Sequence, residues 1–133
     1  MTSKAKYLSN ILVPVSIGEL IDKITILEIK KAHMTGIKLK NVEKELELLK
    51  CILDDKKLEI NIDLVHRLKT INNSLWEIED KIRIKESKKE FDNDFIQLAR
   101  SVYQENDIRA AIKQEINYKY NSNLVEEKLY NEY

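Results

Sequence analysis

The chain has 133 residues, of which 43% are apolar and 35% charged, and its 23 basic and 23 acidic side chains cancel to a formal charge of zero. That length suits one domain with a core of its own, and the even charge argues against a protein built to coat nucleic acid, which carries a clear basic excess. Two glycines and one proline leave little to build hairpins from, so composition favours helices over sheets, and a single cysteine, Cys51, excludes an internal disulfide.

Residues 1–10 read as a loose polar tail. Lys4 and Lys6 ahead of Ile11-Leu12-Val13 have the look of a signal peptide, but Pro14 breaks the run, Glu19 and Asp22 follow, and there is no small-residue cleavage site. No stretch approaches the length of a membrane span. The expectation is a cytoplasmic protein without membrane contact. Ile11 to Val15 is a short β-branched run, either extended chain packed on a bundle or a lone edge strand.

Ser16-Ile17-Gly18-Glu19 is a capping box, with the Ser16 hydroxyl placed to accept from the amide of Glu19 and the Glu19 carboxylate to reach back to the amide of Ser16. It predicts a first helix from Ile17 to about Met34, with Gly36 in the left-handed position that ends it. Ile17, Leu20, Ile21, Ile24, Leu27 and Lys31 form one stripe and Ile26 and Ile29 a second edge, wide enough for more than one neighbour. A second helix is expected from a cap at Asn41 to about Lys57, on the stripe Val42, Leu46, Leu49, Leu53. The third, about Ile62 to Lys89, carries Leu64, Leu68, Ile71, Leu75, Ile78 and Ile82 in the four-three spacing of a coiled-coil seam. Asp92 or Asn93 caps a fourth, from Asp94 to about Tyr120, and Asn123-Leu124-Val125-Glu126 is placed to start a short last helix before an end that frays over 131–133. The predicted fold is therefore all-α: one domain, an antiparallel bundle of four main helices plus a short C-terminal helix. The third and fourth helices outrun the other two, so a homodimer is expected to cover their far ends.

Several blocks of this chain are similar to a known family: Val13-Pro14-Val15-Ser16 with Gly18 to Lys30, Leu75-Trp76-Glu77-Ile78-Glu79-Asp80, Ala99-Arg100-Ser101-Val102-Tyr103 with Asn106-Asp107, and Val125-Glu126-Glu127-Lys128. They resemble a family of small bacterial proteins catalogued only as a domain of unknown function, over nearly the whole chain. The resemblance implies a helical cytosolic protein and brings no activity, substrate or catalytic residue with it.

The fourth helix places Glu105, Asn106 and Arg109 where its apolar stripe calls for core. Buried polar groups need partners. The third helix offers Asn72, Trp76, Glu79 and Arg83 on one face, with Asp80 beside them, and the first offers Glu19, Asp22 and Lys23. These sets are expected to converge in one polar layer, or in a cleft flanked by Trp76 and Tyr103, with Arg109 paired to Glu79 or Asp80. A structural layer that fixes register is the plainest reading, and it goes with a non-enzymatic module for dimerisation or for a protein partner. The alternative is a small-molecule site, or a magnesium-dependent enzyme, using Glu19 with Asp22, or Glu77 with Asp80, as carboxylates sharing a helix face. In such a charged chain that spacing arises readily by chance, and Glu19 already has a capping role. His33 and His66 lie on different helices with no Cys or His beside them, so no metal ligand set and no cofactor are expected. Nor is there a glycine-rich phosphate loop, Gly18 being a lone glycine. The lysines near 56–57 and 85–89 alternate with or adjoin acids and read as solvated surface rather than a nucleic-acid grip.

Overall fold

The computed structural model describes residues 10–133, so the expected loose tail over 1–10 lies, but for Asn10, outside the described residues. Four helices follow one another: α1 (Ile17–His33), α2 (Gly36–Asp55), α3 (Ile62–Ser87) and α4 (Asn93–Lys119). Among the described residues there is no strand, and Ile11–Val15 is unpaired chain whose side chains face solvent.

α1 begins where the sequence places it, with the Ser16 Oγ accepting from the Glu19 amide at 3.1 Å. The return half of the box does not form. The Glu19 carboxylate turns instead to the Lys113 ammonium at 2.7 Å, a charge-assisted bond that outweighs one to a neutral amide. α2 starts a turn and a half before the expected Asn41, because Thr35 is extended and nothing after it interrupts helix. Gly36 does take the left-handed conformation, at φ +63°, but as the first residue of α2 rather than a residue beyond both helices. α3 is capped by Asn61, which accepts from the amides of Asp63 and Leu64, and α4 by Asp92, which accepts from Phe95.

The last three helix ends use one device. Lys57, Lys89 and Asn121 adopt left-handed φ of 53°, 57° and 53°. The following amides of Leu58, Glu90 and Ser122 bond back to the carbonyls of Leu53, Lys85 and Asn117 at 3.1, 3.0 and 2.8 Å. This is the six-to-one closure that glycine usually supports, made here without glycine. Past Asn121 the expected short helix is absent. The Ser122 hydroxyl donates to the Leu124 carbonyl at 2.7 Å, a local bond that competes with a helical turn.

α1 is the hub and packs on each of the other helices, while α3 and α4 pack along one another. One edge of α1 (Leu20, Ile24, Leu27) meets Val42 and Leu46 of α2, and Ile21 meets Leu64 and Leu68 of α3 with Ile112 and Ile116 of α4. This is why its apolar stripe is so wide. At 1.5 Å per residue α1 spans about 25 Å, whereas α3 and α4 each span about 40 Å. The last residue of α1, His33, stacks on Trp76 near the middle of α3, with ring centroids 4.8 Å apart. The outer turns of α3 and the first turns of α4 thus continue past α1.

Candidate functional site: a sealed carboxylate beside an open cleft

Where α1, α3 and α4 meet, Asp22 is 1% exposed. Its Oδ1 accepts from Arg109 Nε at 3.0 Å and from Asn72 Nδ2 at 2.8 Å, and its Oδ2 accepts from Arg109 Nη2. The planar guanidinium thus grips the carboxylate with two parallel bonds. Lys113 Nζ stands 3.7 Å from Oδ2 and is itself held by Glu19 at 2.7 Å and Glu126 at 3.1 Å. Thr25 donates to the Asp22 carbonyl at 2.8 Å and accepts from Asn72 at 2.9 Å.

Burial alone pushes the Asp22 carboxyl up. The hydrogen bonds from Arg109 and Asn72, with the charges of Arg109 and Lys113, outweigh it and hold the group below the usual carboxylate value. Burial pushes Lys113 down, but its bonds to Glu19 and Glu126 and the Asp22 charge leave it raised. Arg109 is raised by Asp22. Asp22, Arg109 and Lys113 are thus each held in the charged form by their partners.

One turn from Asp22 a second junction is closed. The Gly18 amide donates to Asn117 Oδ1 at 2.6 Å, and the Ile17 amide donates to Ser122 Oγ at 3.0 Å. The Gly18 Cα lies so close to α4 that an added Cβ would sit 2.5 Å from the Lys113 carbonyl oxygen. The first amides of α1 are therefore satisfied by the protein. Asn117 Nδ2, in contrast, is buried without a partner.

Beside the sealed layer lies an open cleft of about 380 Å³ between the same three helices, bounded by Trp76, Glu79, Asp80 and Arg83 of α3, Asn106 and Arg109 of α4 and the apolar edge of α1. Arg109 belongs to both places: it grips Asp22 with one edge and reaches Asn106 Oδ1 with Nη1 at 3.3 Å.

A model described as a family of unknown function (DUF6165) matches residues 11–133. The chain belongs to that family. The match covers all four helices and so every residue of the layer and the cleft. No curated protein and no solved structure matches the chain.

Of the residues singled out in the sequence, the structure brings Asp22, Asn72, Asn106 and Arg109 together and sets Trp76, Glu79 and Asp80 around the cleft beside them. The expected partner of Arg109 was wrong: it is Asp22, not Glu79 or Asp80. Those two sit on the exposed side of α3, where water solvates them, and Glu79 only approaches Arg83 at 4.0 Å. Asp22 has no water and needs the cation. Glu19 joins the layer through Lys113 rather than directly. Lys23 points to solvent. Tyr103 lies elsewhere on α4, edge-on to Tyr133 at 5.0 Å. Of the core-facing polar residues of α4, Glu105 keeps a buried carboxylate oxygen without a partner.

Sequence reasoning missed Lys113, Asn117, Ser122 and the ligation of Lys113 by Glu126. A signal existed for the first two. Lys113 and Asn117 follow Arg109 at steps of four, one polar line up the helix beside Ile112 and Ile116. No signal marked Ser122, whose role depends on a contact 105 residues away in the chain.

Proposed function

We propose that the protein is a non-enzymatic helical module that self-associates through the outer turns of α3 and α4, with its helices as antiparallel neighbours, and works in the cytoplasm by holding a protein partner. One observation carries this reading. Past Trp76 no other helix covers the two long helices among the described residues, although Tyr133 packs edge-on to Tyr103, and Ile84 of α3, Phe91 of the link and Ile96 of α4 are exposed at 47%, 56% and 51%. Clustered exposed apolar side chains of this size are characteristic of interaction surfaces. The Asp22 layer supports the non-enzymatic half of the reading. Asp22 is buried and gripped by Arg109, and Glu19 is paired to Lys113, so both carboxylates already have cationic partners within the protein.

The test is sedimentation velocity of the purified chain across a range of concentrations. A dimer that Ile96→Lys converts to monomer, without change in circular dichroism, is the expected outcome. A monomer at tens of micromolar refutes the reading.

A further inference from the structure

The open cleft carries a second, independent inference, which begins with the orientation of Asn72. Asn72 is 6% exposed. Its amide nitrogen donates to Asp22 Oδ1 and Thr25 Oγ1. An ionised carboxylate only accepts, and the Thr25 hydroxyl spends its own hydrogen on the Asp22 carbonyl. Both neighbours therefore demand the nitrogen on that side, and the amide cannot be flipped. The Asn72 oxygen is turned the other way, toward the cleft that Asn72 lines. Among the described residues it accepts no hydrogen bond. A ligand donor that enters the cleft can answer it.

The walls around it carry two carboxylates, Glu79 and Asp80, and two guanidiniums, Arg83 and Arg109. Arg109 has Nε and Nη2 committed to Asp22, so its charge is already answered. Arg83 is the other cation, but its side chain is 80% exposed and stands 4.0 Å from Glu79, a contact worth little in water. Asp80 has no salt bridge among the described residues. The cleft thus offers two carboxylates and the Asn72 acceptor among its lining groups. Between them lie Ile26, Ile29 and Leu75 and the indole of Trp76, which the His33 stack holds in place. An indole attracts cations more strongly than any other side-chain ring, and the aliphatic side chains suit a methylene stem.

We propose that this cleft binds an organic cation: a primary ammonium or guanidinium on a short aliphatic stem, its N–H groups answering Asn72 Oδ1 and its charge lying between Trp76 and the carboxylates of Glu79 and Asp80. Two sources carry that chemistry, a free aliphatic amine and the lysine or arginine side chain of a bound peptide.

Trp76 is the only tryptophan in the chain, so its fluorescence reports the cleft directly. The full-length protein is titrated with n-butylammonium, with n-butanol as the neutral match, and then with 1,5-diaminopentane and N-acetyl-lysine amide to separate the two sources. A saturable change with n-butylammonium and none with n-butanol is expected. Glu79→Gln with Asp80→Asn should weaken it roughly tenfold, the size of effect that loss of close charge partners produces. Both positions are exposed, so the melting curve of this variant should match that of the parent and fold loss is not confounding. Tighter binding of the diamine points to a free amine, and tighter binding of the blocked lysine to a peptide side chain; either supports the proposal. No saturable change with any ammonium probe, an equal response to n-butanol, or a response unaltered in the double variant overturns it.

Discussion

Arg109→Ala tests what the buried layer contributes. The substitution leaves the Asp22 carboxylate, 1% exposed, with a hydrogen bond from Asn72 Nδ2 at 2.8 Å and the Lys113 charge at 3.7 Å. Removing one partner of a buried ion pair costs about 3–5 kcal/mol. The surviving Asn72 bond and the nearby Lys113 charge answer part of it, which places the expected loss near the lower end, about 3 kcal/mol, or about 10 °C in Tm for a domain of this size. Urea denaturation followed by far-UV circular dichroism measures it. Asp22→Ala frees Arg109, whose side chain is 29% exposed and has water within reach. The double variant should therefore cost less than the sum of the two single ones, with a coupling of at least ~1 kcal/mol. The pair also sets an acid dependence. Because the folded pKa of Asp22 is depressed, its contribution is complete above the unfolded carboxylate value of about 4 and is lost as pH falls from there through the folded value. Arg109→Ala should flatten that acid limb. A loss below ~1 kcal/mol with zero coupling and an unchanged acid limb would falsify the account of Asp22 as a charge that α4 must neutralise.

Three further outcomes follow from the local geometry. Ser16→Ala removes the acceptor for the Glu19 amide and should cost ~1 kcal/mol in the same urea melts; an unchanged midpoint would mean that the cap contributes nothing. Gly18→Ala improves helix propensity but places a Cβ 2.5 Å from the Lys113 carbonyl oxygen and 2.9 Å from Asn117 Oδ1. Backbone must move, so a net loss of about 1–3 kcal/mol is expected, and a stabilised variant would show that the α1–α4 approach is looser than described. Lys57→Gly relieves a left-handed residue at the end of α2 and should raise stability by about 0.5–1 kcal/mol, the left-handed penalty less the entropy glycine loses on folding; a lower urea midpoint contradicts it.

The helices were legible in the sequence because their signals are local. Ser16 and Asp92 cap the ends they were expected to cap, and the stripes on α1 and α3 mark sides that are buried along most of their length. Where local signals were weak, the reading slipped. Asn41 looked like a cap and lies inside α2, and Asn123 looked like one and starts nothing, since Ser122 had already been engaged by Ile17 and Leu124. The closures at Lys57 and Lys89 were invisible because lysine carries no turn preference.

That Arg109 needs a carboxylate follows from the sequence alone, since a guanidinium on an apolar stripe cannot be left unpaired. Which carboxylate it takes is decided only when three helices pack. Glu79 and Asp80 keep their hydration on the outer side of α3, whereas Asp22, turned inward on the helix at the centre of the fold, loses its water and must draw Arg109, Lys113 and Asn72 around it. Desolvation is a property of the packed molecule and not of any segment, and so is the direction in which the oxygen of Asn72 is left pointing.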